Sequence, residues 1–365
     1  MNARTVNSRR TDFQSVRAAR RTDCQSVLPL CGRLSICPTA RRGFTLVELL
    51  VVIVILTMLS AFVVVALRGA QQSAREAKTK ATIAKLHGIV MEIYESYRTR
   101  RVPSMSDAEM QAIAKKSLEF DPATMPWTLN WVARVRLAAM RDIMRMEMPE
   151  RWTDIQNGPQ FVPVASEPAL HRAYWTRCAR QEMDGTFTFL ATGTNYPAKC
   201  LYLVVTMAGG EDARSQFAPD EVAIDPDDGF CTFIDGWGRP IYFLRWAPGF
   251  NDSDVQPNIG TETTPSAAAA SDHDPFDTRR VDPAAWKLLP LIYSAGRGGE
   301  NGVWVAPKNE PSPAGWPKDK GRMYVWTNNT YNWIWDDDLK RNVLMGQPIG
   351  STHFDNIHNH RIEAQ

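Results

Sequence analysis

Apolar and polar residues are distributed very unevenly along this chain. From Phe44 to Leu67, "FTLVELLVVIVILTMLSAFVVVAL", 24 residues carry a single charge, Glu48, and 17 of them are Leu, Ile, Val or Phe. At about 1.5 Å per residue, a helix of that length spans roughly 36 Å, more than the roughly 30 Å hydrocarbon core of a bilayer. At about −0.3 to −0.6 kcal/mol each, these apolar side chains favour insertion by roughly 5 to 10 kcal/mol, which outweighs the roughly 3 kcal/mol cost of one central charge. The period then changes. Ala70, Ala74, Ala77, Ala81 and Ala84, followed by Ile83, Leu86, Val90, Ile93 and Tyr97, recur at three- and four-residue steps with Arg, Lys and Glu between them. This spacing continues the same helix as an amphipathic half over residues 68–101. Between Leu67 and Arg75, Gly69 is the only candidate breaker and costs about 1 kcal/mol; Pro103 ends the helix.

Residues 102–199 read as α-rich. Ser106 and Glu109 form a capping-box pattern for a short helix through Leu118. A second helix is predicted over Trp131 to Met148, where Met140, Met144 and Met148 recur at four-residue steps and read as core packing, and a third over Ser166 to Met183. From Cys200 the signals turn to a β region over residues 200–365. It opens with the apolar "CLYLVVTMAGG"; Asp235 to Pro240, "DGWGRP", predicts a tight turn leading into a strand at Ile241 to Leu244. Asn251 to Pro283 has the composition of a loop or linker. Leu288 to Ser294 and Val303 to Ala306, separated by "AGRGGENG", predict a hairpin. The fold class is therefore α+β.

Charge divides the chain at the apolar run. Met1 to Gly43 holds nine Arg, no Lys and two Asp, for +7, while the rest carries −5. A basic leader on a mildly acidic body excludes a nucleic-acid binder, whose positive charge would lie on the folded domain. Arg68, Arg75, Lys78, Lys80 and Lys85 follow the span and Arg33, Arg41 and Arg42 precede it, so charge alone does not orient it. The leader's repeat, "RRTDFQSV" from Arg9 and "RRTDCQSV" from Arg20, is polar and too short to stack a core. Beyond the leader stand Cys178, Cys200 and Cys231, from which one disulfide and one free thiol are expected, the pairing left open. Gly296, Gly298, Gly299 and Gly302 fit neither nucleotide-binding fingerprint, and G-x-S-x-G, H-E-x-x-H and P-loop motifs are absent, so no catalytic residue is assigned. His353, His358 and His360 with Asp355 stand between a metal site and solvated terminal histidines.

The junction "RRGFTLVELL" places its glycine ahead of the apolar run, unlike a secretory signal peptide, whose cleavage site lies beyond it. It resembles the type III signal of type IV pilins and type II secretion pseudopilins. The resemblance implies that Gly43 is the last leader residue, that Phe44 is the methylated first mature residue, and that Glu48 pairs with the amino terminus of a neighbouring subunit. It also implies a pilin-like fold: a leader over 1–43, a transmembrane half-helix over 44–67, and an amphipathic half over 68–101 backing a small antiparallel sheet. "DGWGRP" is similar to the D-x-W-G-x-P signature of the major pseudopilin. "YSAG" resembles that family's S-x-G-x-D-G element, which borders a calcium loop, though Gly298 or Gly299 stands where the family has an aspartate. Asp336, Asp337 and Asp338 are then the candidate calcium ligands. The acidic loop of Asp225, Asp227 and Asp228 is a rival site, and a solvated acidic turn is the alternative to both. No other cofactor is implied.

The function so implied is a structural subunit of a type II secretion pseudopilus, held in inner-membrane lipid with its C-terminal domain in the periplasm. It would be processed by prepilin peptidase and polymerise with itself and with other pseudopilins. The alternatives are a type IV pilin for adhesion or DNA uptake, and a membrane-anchored binding protein or enzyme.

Overall fold

The computed structural model describes residues 44–118, 120–181, 187–189, 196–226, 228–261, 264, 266–282, 286–305, 334–336 and 340–361. The chain falls into two units, residues 1–61 and 62–365. Helix α1 runs from Leu46 to Ser96. In its apolar run every Leu, Ile, Val and Phe is exposed, from 42% at Val54 to 84% at Phe44. Such a surface is stable only under lipid or another apolar cover.

Within the second unit, α1 buries the face formed by Thr79, Thr82, Ile83, Leu86, Ile89, Val90 and Tyr94, a spacing of three and four residues that keeps one stripe inward. These side chains share a core with helix α3, Leu129–Glu147, through Val135, Ala139, Ile143 and Met144, and with Phe233, Phe243 and Ile292 of the sheets. The helix stops at Ser96, earlier than the position of Pro103 predicts. Glu147 supplies the reason: its carboxylate accepts from the Tyr97 hydroxyl at 2.9 Å and pairs with Arg100, which turns the chain onto α3.

Helix α2, Asp107–Ser117, has the expected capping box, with Glu109 N donating to Ser106 Oγ and Ser106 N to Glu109 Oε2. Met144 and Met148 are fully buried in the core, and Met140 packs against it partly exposed. After the short α4, Trp152–Gln156, α5 spans only Ala169–Cys178, because Pro168 delays its start and Ala179–Gln181, strand β1, pairs antiparallel with β2, Phe187–Phe189. The stretch at Cys200 corrects the sequence reading. Tyr196–Leu203 is helix α6, continued by one π-helical turn, Val204–Ala208, and by α7, Gly210–Ser215. Every residue from Pro197 to Val205 is buried, and an apolar run buried all round has no period to tell helix from strand.

The remaining strands are short and antiparallel. β3, Val222–Ile224, pairs with β4, Cys231–Phe233, and β7, Ile334–Asp336, with β8, Arg341–Val343. The central sheet is ordered β5-β6-β9, from Tyr242–Leu244, Leu291–Ser294 and Ile357–His358, with Tyr242 opposite Tyr293 and Tyr293 opposite His358. All four residues of β6 are buried, as a central strand covered on both faces requires. The predicted hairpin does not form. Val303 bridges Pro348, and the edge of β6 is taken by β9, where Asn359 accepts from Ile292 N at 2.8 Å and donates to the Pro290 carbonyl at 2.9 Å. Between β5 and β6 in sequence lies a short helix of alanines, α8, Ala267–Ser271, capped by Ser266 inside the predicted loop.

Cys178, Cys200 and Cys231 are all free thiols, which corrects the disulfide expected among them. Cys178 and Cys200 pack beside Trp152 and Phe230, whereas Cys231 borders a different cluster. Burial pushes the Cys178 thiol up to about 12, so it behaves as a small apolar side chain. Of the C-terminal histidines, His358 and His360 are buried and His353 lies nearer the surface. His358 faces Asp252 at 3.3 Å and His360 donates to the Pro290 carbonyl at 3.2 Å, while His353 contacts the Gly350 carbonyl, so each has its own partner.

Burial holds His360 neutral, lowering its pKa from 6.5 to about 3 despite the carbonyl it faces. Below the ordinary value the unfolded chain takes up a proton that the folded chain refuses, so stability is present at neutral pH and falls as pH drops from about 6.5 towards 3, by up to a few kcal/mol. Urea unfolding midpoints across that range should decline steeply, and His360→Gln should flatten the decline; an equal slope in both would refute this origin.

Candidate processing and assembly site

The amino-terminal site is built on the start of α1. Thr45 is the residue before the helix, and its Oγ1 accepts from Glu48 N at 3.2 Å. In return Glu48 Oε2 accepts from Thr45 N at 2.8 Å and from Thr45 Oγ1 at 3.0 Å. This capping box satisfies backbone donors that a helix beginning in an apolar medium must not leave open. It occupies one carboxylate oxygen; Oε1 has no hydrogen-bond partner among the described residues. The second oxygen is thus available to an external cation, the form of pairing that makes a carboxylate tolerable at membrane depth. Phe44 is exposed beside it, and Gly43 lies outside the described residues.

A second constellation joins two motifs that lie far apart in sequence. Asp235, buried to 1%, accepts from Trp237 N at 2.8 Å and Arg239 N at 2.9 Å through Oδ1, and from Ser294 Oγ at 2.6 Å through Oδ2. Arg239 donates to the Gly296 carbonyl at 2.7 Å. The "DGWGRP" turn is thereby fastened to the end of β6. Its other side rests on α1: Gly236 N donates to Thr79 Oγ1 at 2.9 Å, and Trp237 Nε1 to Gln72 at 3.4 Å. Sequence reasoning recognised each motif but not their union, which no local pattern signals.

The acidic candidates separate. Asp336 ends β7, opposite Arg341, and Asp337 and Asp338 lie outside the described residues. The carbonyls of Gly296 and Arg297 at the "YSAG" turn accept from the Arg239 guanidinium, a fixed cation where the resemblance implies calcium. In the rival loop Asp227 lies outside the described residues, while Asp225 and Asp228 pair with Lys199 Nζ at 2.7 and 2.6 Å. Lys199 is fully buried and its sequence context carries no sign of this role.

A family model described as the prokaryotic N-terminal methylation motif matches residues 38–64, which cover the Gly43–Phe44 junction, Glu48 and most of the apolar run. No curated protein and no solved structure matches the chain.

The "DGWGRP" joint can be probed at its glycines. A Cβ on Gly236 would come within 2.3 Å of the Arg75 carbonyl oxygen and 2.7 Å of its Cα, backbone that cannot swing aside. Gly236→Ala should therefore lower stability by about 1–3 kcal/mol, the usual range for overpacking. Thermal melts of the full chain in detergent test this; an unchanged midpoint would mean that the turn does not bear on α1.

Proposed function

We propose that this chain is a structural, non-catalytic subunit of a secretion pseudopilus. It is cut between Gly43 and Phe44 by a prepilin peptidase, methylated on Phe44, and polymerised from the inner membrane with its C-terminal domain on the periplasmic side. The observation that carries the reading is the methylation motif over residues 38–64, set on an apolar run that is wholly exposed and holds Glu48 as its one charge. Secretion is favoured over adhesion or DNA uptake by the "DGWGRP" turn, which in this chain ties α1 to the central sheet.

The arrangement suggests a division of labour within Glu48. One oxygen closes the helix start and the other accepts the amine of a neighbouring subunit, which supplies the opposite charge at the same depth. The apolar run inserts without help from that pair, since its transfer free energy exceeds the cost of the charge. Folding of the second unit does not involve Glu48 at all.

Two measurements test the reading. Mass spectrometry of the mature amino terminus, from cells with an active prepilin peptidase, should find N-methylated Phe44; a terminus at Met1 or beyond Leu67 contradicts the cut. Glu48→Val should insert and fold as the parent does yet be missing from crosslinked filaments, and incorporation at the parental level would rule out an assembly role.

A further inference from the structure

Beyond that reading, a cavity of about 260 Å³ opens in the second unit where the end of α1, helix α3 and the loop of residues 275–279 meet. Val102, Val132 and Met140 give it an apolar lining, and Arg98, Arg136 and Arg279 are exposed around them. Three guanidinium groups on one small apolar hollow are unexpected in a body whose net charge is negative.

Two of these charges have no carboxylate partner among the described residues, and the third has an exposed one. Arg136 and Arg279 make no ion pair among the described residues, and Arg98 is held by Glu95 one helical turn back, an exposed pair of the weak kind that a better anion displaces. The one carboxylate in the lining, Asp277, is 3% exposed and already engaged: it accepts from Val281 N at 3.0 Å and Asp282 N at 2.8 Å and faces His273 at 3.1 Å. It shapes the loop and does not neutralise the rim. The loop is pinned at its other end by the buried ion pair of Arg141 with Asp274, and Phe276 stands edge-on to Tyr94 at 5.2 Å. The pinned turn also holds Arg280 at φ +49, a backbone conformation that a side chain rarely adopts without such support. The cavity is therefore formed before any ligand arrives.

We infer that this cavity binds a carboxylate carried on a compact apolar body, the guanidinium forks taking the carboxylate and the Val102, Val132 and Met140 surface taking the body. Its volume suits one large side chain with its terminal carboxylate, so the chemistry is that of a free aryl or branched-chain acid or of the C-terminal residue of a polypeptide.

Isothermal titration of the full chain in neutral detergent micelles distinguishes these sources. The probes are 4-phenylbutyrate, N-acetyl-Leu-Phe as the free acid, and the amide of each. Either acid should bind at least about tenfold more tightly than its amide, a factor that one charge-assisted contact supplies, and raised salt should weaken it. Binding of 4-phenylbutyrate alone assigns the site to small acids, and binding of the dipeptide acid alone assigns it to chain termini. Arg136→Gln with Arg279→Gln should remove at least tenfold of the preference with no change in melting temperature, since neither side chain packs in the core. Acid and amide binding equally, or parental affinity in the double variant, overturns the inference.

Discussion

The Asp235 carboxylate is the interaction on which the second unit's geometry depends. It is buried, and it is acceptable there because three donors surround it: two backbone N–H groups of its own turn and the Ser294 hydroxyl of the central strand. Hydrogen bonds to a charged group contribute about 1.5–3 kcal/mol each, and losing one would leave a desolvated charge. The same three bonds fix where the turn points. That direction lets Gly236 lie on the backbone of α1, and it feeds Pro240 and Ile241 into β5 beside β6.

Other buried charges repeat this pattern at the seams between the helical middle and the C-terminal region. Arg245, beside β5, donates to the Met148 carbonyl at the end of α3 and pairs with Asp154 at 3.3 Å. Arg141 of α3 pairs with Asp274 in the same way, while outside the middle segment Glu221 accepts from Thr82 and from the part-exposed Lys85 of α1. Buried pairs of this kind contribute little net stability against well-packed apolar replacements, but breaking one partner costs about 3–5 kcal/mol. They restrict which helix faces which strand. The middle segment is thus integrated with the β region and not a separate appendage to it.

The first unit obeys a different constraint. Between Phe44 and Ala61 it exposes 13 large apolar side chains, each favouring burial by about 1.5–3 kcal/mol, so tens of kcal/mol oppose leaving it in water. Lipid and a sheath of like helices are two covers of the required chemistry, and a methylation motif over the same residues accords with passage from one to the other.

What the sequence alone determined was local or compositional. The length and apolarity of Phe44 to Leu67, the Thr45-x-x-Glu48 and Ser106-x-x-Glu109 spacings, the inward stripe of α1 and the tight "DGWGRP" turn each follow from neighbours within a few residues, where period and capping chemistry act. Only the tertiary structure decided the rest. The stretch at Cys200 is buried on every side, a state without a period, so its helix could not be told from a strand. The edge of β6 went to residues 357–358 and not to Val303, because strand pairing is settled by competition between distant segments. Ser294 on Asp235, Asp225 and Asp228 on Lys199, and Pro290 on His360 each come from 26 or more residues away, and no pattern along the chain records which partners a buried polar group will meet once the core has closed.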